Sequence, residues 1–236
     1  MEDWPTPVVM AIAGGLGGII LGLAARLGRF CTLSAIEDAL FSNDLRRLRM
    51  WALALAVAIA GVGCLAALGL IDFSPSLYQK LALNPLAWII GGLMFGIGMA
   101  LCGTCGYGTL ARMGGGDLRA LFGFLVLGVS AYMAIAGPTA HLRVFAIDPF
   151  ALGDGVPYRT LSDLGTAQTA LQLLLSLAIA GSLAFWSLSN GVFRRSFRHV
   201  FWGAMVGVAV VSGWIATAWL GADPFDPQPL ISHTYS

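Results

Sequence analysis

Six runs of apolar residues dominate this chain and leave it few ways to fold. They lie at about 8–27, 50–71, 86–104, 118–137, 165–189 and 198–220, and crossing a bilayer core as a helix takes roughly 20 residues. Within lipid every backbone N–H and C=O must be satisfied inside the protein, so runs of this length read as helices. Charged residues make up 11% of the 236, against about a quarter in soluble domains. The expected fold class is therefore all-α, a polytopic helical membrane protein of about six spans. It reads as one integral-membrane domain, 1–236, with repeat-like units at about 8–71 and 86–137, further spans within 165–220 and a tail at 221–236. A net charge of +1 supplies no basic field for nucleic acid. The expected surroundings are membrane lipid.

The connections carry the topology. Arg26, Arg29, Arg46, Arg47, Arg49, Arg112, Arg119, Arg194, Arg195 and Arg198 fall on one side, and only Lys80, Arg143 and Arg159 on the other. Cytoplasmic connections are the basic ones, which predicts both termini outside the cytoplasm. The opening "MEDWPTP" is acidic, unlike the positive n-region of a cleaved signal, so the first run is expected to stay as a span. In "TLSAIEDALFSNDLRRLRM", Leu33, Ile36, Leu40 and Phe41 recur at helical spacing, which predicts a short helix lying at the membrane interface. The outer connection 138–164 carries Pro and Asp and is expected to be irregular. The tail "GADPFDPQPLISHTYS" has no helical period.

Two stretches align without gaps. "GGIILGLAARLGRFC" ends at Cys31 and "GGLMFGIGMALCGTC" ends at Cys105, each reading GG, three residues, Gly, eight residues, Cys. Two spans separate equivalent points, so both copies should cross in the same direction, a parallel repeat of the kind transporters use. Gly18/Gly22 and Gly92/Gly96 are GxxxG pairs, whose commonest role is close helix packing. On that reading two tightly packed spans each deliver one cysteine at the same depth. Gly103, Gly106 and Gly108, followed by "MGGG", leave room for a break and a short re-entrant helix. Irregular backbone at membrane depth is tolerated where protein buries it or where it lines a cavity.

The four cysteines are not equivalent. A free Cys usually packs as a small hydrophobe, and Cys64 in "AGVGCLAAL" reads that way. Cys102 divides evenly between packing and function. Cys31 and Cys105 share the same glycine frame and each sits beside an expected chain break, which makes them the functional candidates. Cys102 and Cys105 also form a CxxC pair, a redox signal whose usual setting is a thioredoxin-like βαβ fold; no such pattern exists here. No Asp, Glu or Lys falls inside spans two to six, and His141, His199 and His233 lie outside the membrane core. Intramembrane ionisable groups mark proton and ion coupling, so a carboxylate-driven pump is not expected. No metal-ligand motif or cofactor signature is present either.

"GRFCTLSAIEDAL" and "GGLMFGIGMALCGTCGYGTLARMGGGDLRAL" closely resemble the YeeE/YedE membrane family, which includes TsuA-type thiosulfate transporters. That family's second motif reads approximately GGxxFGxGMALxGGCxxGTLxRxGxG. The resemblance covers essentially the whole chain and places Cys31 and Cys105 on family cysteines, and Cys102 where a small residue is usual. It implies a non-enzymatic transporter in a bacterial inner membrane, taking up thiosulfate or a related inorganic sulfur anion through a relay of cysteine thiols. The backbone N–H groups of the Gly103, Gly106 and Gly108 stretch would hold the sulfonate end. The family continues into a third cysteine motif that lies beyond Ser236. A second chain or a homo-oligomer would then complete the pathway, or two cysteines suffice. Two other readings stand beside it: a membrane thiol–disulfide oxidoreductase using Cys102 and Cys105, and a docking protein whose arginines at 46–49 receive a TusA-like soluble sulfur carrier.

Overall fold

The computed structural model describes residues 6–70, 84–150 and 166–220, and among these every regular element is helical. In chain order they are α1 (Thr6–Arg26), α2 (Thr32–Phe41), α3 (Arg46–Ala67), α4 (Pro85–Cys102), α5 (Gly106–Gly114), α6 (Leu118–Ala136), α7 (Pro138–Ala146), a 3₁₀ turn (Asp148–Phe150), α8 (Thr166–Leu188), α9 (Gly191–Arg195) and α10 (Phe197–Ile215), which runs on into a π-helical turn (Ala216–Leu220). Among the described residues, five segments are long and apolar enough to cross a membrane: Val8–Arg26, Arg46–Ala67, Pro85–Gly114, Leu118–Ala136 and Phe197–Ala218. The expected fifth span is α8, whose described apolar part is Leu173–Leu188. The protein is a multi-pass membrane protein. The expected interface helix is α2, with Ile36, Leu40 and Phe41 exposed. The tail and most of the outer connection lie outside the described residues.

The order long helix, cysteine, short helix, long helix occurs twice. It runs α1, Cys31, α2, α3 and then α4, Cys105, α5, α6. The 74-residue offset between the cysteines is thus carried by matching elements as well as by matching letters.

The described residues fall into two compact units. In the first, α3 packs against α8 and α10, and α1 against α10. Small residues make these approaches. A Cβ on Gly203 would stand 2.9 Å from the Met50 carbonyl, and one on Gly207 only 2.7 Å from the Ala54 carbonyl. Gly61 faces Val211 and Gly63 faces Ser176 at similar range, while Gly28 meets Trp202. Gly203 and Gly207 are themselves a GxxxG pair on α10. By contrast, at Gly18, Gly22, Gly92 and Gly96 a Cβ would meet nothing within 4 Å among the described residues. Within its own unit, neither of these pairs meets a neighbour this closely among the described residues. A GxxxG spacing permits a close approach, and a facing helix must still supply it.

At one end of this unit Arg49 ties α3 to α8. Its Nη1 donates to the Trp186 carbonyl, to the Ser187 carbonyl at 3.2 Å and to Ser189 Oγ at 3.2 Å, and its guanidinium lies 4.7 Å from the Trp186 ring centroid. Ser187, fully buried, returns a bond to the Arg49 carbonyl at 2.8 Å. The last carbonyls of α8 have no partner within their own helix, and a cation there also complements the helix dipole. Arg46 pairs with Asp44 at 2.7 Å and Arg47 with Asp38 at 3.2 Å. The Arg46 guanidinium holds the Asp44 carboxyl below its ordinary value. All three arginines of the expected docking patch are thus engaged within their own chain.

The second unit holds Cys31–Ser34 with α4 to α7. Asn84 opens α4: its side chain accepts from Ala87 N at 3.1 Å and donates to the Ile147 carbonyl at 2.8 Å. Gly103, at φ 64°, closes α4 in the left-handed region that a residue without Cβ enters at no steric cost. Asp117 caps α6 by accepting from Arg119 N at 3.0 Å. Pro138 starts α7 at a position where a missing N–H costs nothing. Residues 138–146, expected to be irregular, are therefore helical.

Candidate functional site

Cys105 stands in the break between α4 and α5. Gly103 ends one helix, and Cys105, in an extended conformation, is the N-cap of the next. Its Sγ accepts from Gly108 N at 3.3 Å, taking the place of the hydroxyl or carboxylate oxygen usual at a helix start. Thr109 Oγ1 donates back to the Cys105 carbonyl at 3.0 Å, and Thr104 Oγ1 to the same carbonyl at 3.3 Å. Cys105 is 2% exposed.

Cys31 directly precedes α2, as Cys105 precedes α5. The two sulfurs are 3.7 Å apart and share an S–H···S hydrogen bond. Around them, the backbone N–H groups of Thr32 and Leu33 face Cys105, and that of Ser34 faces Cys31. A pair of thiols is thus enclosed by N–H groups from the first turns of two short helices, where the helix dipole favours negative charge. The bond with Cys105, together with burial, pushes the Cys31 thiol above its ordinary value.

Each glycine of the expected site has a separate task. Gly103 supplies the turn. Gly106 lies against Leu127 of α6, where a Cβ would stand 3.6 Å from Cδ1. Gly108 backs directly onto the thiols: a Cβ there would stand 2.7 Å from Thr104 Oγ1, 3.5 Å from Cys105 Sγ and 3.7 Å from Cys31 Sγ. Gly108→Ala is therefore expected to push the loop off the pair, read as several-fold faster alkylation of Cys105 by a small maleimide. An unchanged alkylation rate would show that the loop absorbs the methyl group.

Cys102 is exposed at the end of α4, and Cys64 is exposed on α3. The partner of Cys105 is Cys31 and not its CxxC neighbour. Sequence reasoning missed Thr104, Thr109 and the N–H groups of Thr32, Leu33 and Ser34. The signal was present in "CTLS" and "TCGYGT", where hydroxyl residues flank a cysteine at a helix start. Among the described residues no cluster of three or more His, Cys, Asp or Glu side chains could hold a metal ion.

A family model described as sulphur transport matches residues 27–225. The thiosulfate transporter TsuA of Spirochaeta thermophila is 34% identical over 211 residues, covering 86% of this chain and 62% of that protein. The thiosulfate transporter TsuA of Escherichia coli K12 is 33% identical over 121 residues, covering 50% of this chain and 33% of that protein. The chain thus spans less than two thirds of the length of either relative. With its helices, repeated cysteine frame and family match across most of its length, this chain belongs to the sulphur-transport family.

Proposed function

We propose that the protein takes part in moving thiosulfate, or a closely related inorganic sulfur anion, across a bacterial inner membrane, with Cys31 and Cys105 as substrate thiols. The observation that carries this reading is the 3.7 Å thiol pair enclosed by backbone N–H groups from two helix starts. Thiosulfate is a dianion with one soft, weakly hydrated terminal sulfur and a hard sulfonate end. A neutral thiol donates S–H to the soft sulfur, and helix-start N–H groups suit the sulfonate oxygens. Neither contact is a full counter-charge, so the anion is held weakly enough to leave again, as conduction requires. A lysine or arginine at the same place would trap it. The thiosulfate transporters it resembles and the family match support the substrate class.

Labelled thiosulfate uptake by cells expressing this chain, against cells carrying an empty vector, tests the reading. Uptake that competes with unlabelled thiosulfate and not with sulfate supports it; equal counts in both cell lines contradict it.

The arginine asymmetry supports an orientation with both termini in the periplasm. A phosphatase active only in the periplasm is expected to be active when fused at Ser236 and silent when fused after Arg195. The reverse pattern would invert the topology.

A further inference from the structure

We propose that the Cys31–Cys105 pair also reacts with polythionates such as tetrathionate, closing to a disulfide that shuts the site to thiosulfate until it is reduced. The inference rests on the functional reading above, because it takes the anion-binding geometry of the site as the means by which a polythionate is held. Its independent support is geometric. Two free thiols lie 3.7 Å apart, while the other two cysteines of the chain are exposed elsewhere. A disulfide needs its sulfurs at about 2.05 Å, so the pair must close by less than the width of one atom.

The chemistry follows from the anion. Tetrathionate is two thiosulfate units joined through their terminal sulfurs, so a site that fits one unit places the central S–S bond beside the thiols. One cysteine gives up its proton to water and attacks a central sulfur. The S–S bond breaks, one thiosulfate leaves with the electron pair, and the cysteine carries the remaining –S–SO₃⁻ group. The second cysteine, already in contact, loses its proton and attacks the first cysteine's sulfur, expelling the second thiosulfate. Two thiols are oxidised to one disulfide, one tetrathionate is reduced to two thiosulfates, and two protons are released. The second step is intramolecular between groups already in place, so it is strongly favoured over escape of the adduct. Thiol–disulfide exchange with a cellular dithiol reverses the lock.

Closing the pair removes both S–H donors and pulls the sulfurs away from the N–H groups that surround them. The oxidised site has no soft donor left for thiosulfate. A cell rich in oxidised sulfur anions would thereby stop thiosulfate uptake.

The test uses the full chain carrying Cys64→Ala and Cys102→Ala, purified in detergent, reduced, freed of reductant and treated with tetrathionate. The expected result is a Cys31–Cys105 linked peptide by mass spectrometry, two thiosulfates released per chain and loss of both alkylatable thiols. Adding Cys31→Ser should give one thiosulfate released and a lasting adduct on Cys105. Adducts without a linked peptide in the parent would overturn the proposal, as would links only between separate chains. In proteoliposomes, tetrathionate should abolish thiosulfate uptake and dithiothreitol should restore it; linked protein that still takes up thiosulfate overturns the lock. If the linked peptide forms but reduced protein takes up no thiosulfate, the transport reading fails while the polythionate chemistry stands.

Discussion

Gly207→Leu is expected to prevent stable folding, while Gly22→Leu leaves the protein folded in the membrane. At Gly207 the first atom of any side chain meets the Ala54 carbonyl and Val57 Cβ, both at 2.7 Å. The carbonyl belongs to the backbone of α3 and cannot rotate away. Overpacking a well-packed interior costs about 1–3 kcal/mol, and here α3 and α10 must separate along a contact that also includes Gly203 against Met50. In lipid, van der Waals packing of this kind does much of the work of holding helices together. At Gly22 a Cβ meets nothing within 4 Å among the described residues. Thermal aggregation of detergent-solubilised protein separates the two cases. Equal stability of both variants would show that the α3–α10 contact does not hold the first unit together.

Cys105→Ser is expected to lower thiosulfate uptake at least about tenfold, while Cys102→Ala retains it. A hydrogen bond to a charged partner contributes about 1.5–3 kcal/mol, and 1.4 kcal/mol is a factor of ten. Serine keeps a donor, but its hard oxygen is a poorer match for the soft terminal sulfur. The substitution also breaks the S–H···S contact with Cys31 and replaces the sulfur that accepts from Gly108 N. Cys102 is exposed at the end of α4 and takes no part in the thiol pair. Equal losses from the two substitutions would favour disulfide chemistry at the CxxC pair over a substrate thiol.

Much of this arrangement is legible in the sequence because membrane insertion leaves so few alternatives. The apolar runs locate the long helices to within a few residues, since their backbone has no other means of satisfying itself in lipid. The repeated frame ending at Cys31 and Cys105 anticipates that these two cysteines belong together, and in the structure they meet. The glycine break before Cys105 is also foreseen, because Gly103 is followed so closely by Gly106 and Gly108.

What escapes the sequence is tertiary. Gly18/Gly22 and Gly203/Gly207 have the same spacing, and among the described residues of their unit the second pair alone faces a neighbouring helix closely. Spacing describes one surface, whereas packing needs two. The first turn of α7 is missed for a different reason. Pro138 reads equally well as a breaker or as the first helical residue, and the residues after it decide. The N–H groups around the thiols escape because a cysteine at a helix start is an uncommon cap, so the two expected short helices give no sign that their first turns face the sulfurs.

The central claim is that a soft sulfur anion rests against the Cys31–Cys105 pair. Selenosulfate, in which selenium replaces the terminal sulfur of thiosulfate, tests it most directly by anomalous diffraction from crystals of the reduced protein. The account predicts a selenium peak in contact with both Sγ atoms, with the sulfonate oxygens toward the N–H groups of the two helix starts. A selenium peak elsewhere, with the thiol pair still in mutual contact, would contradict it.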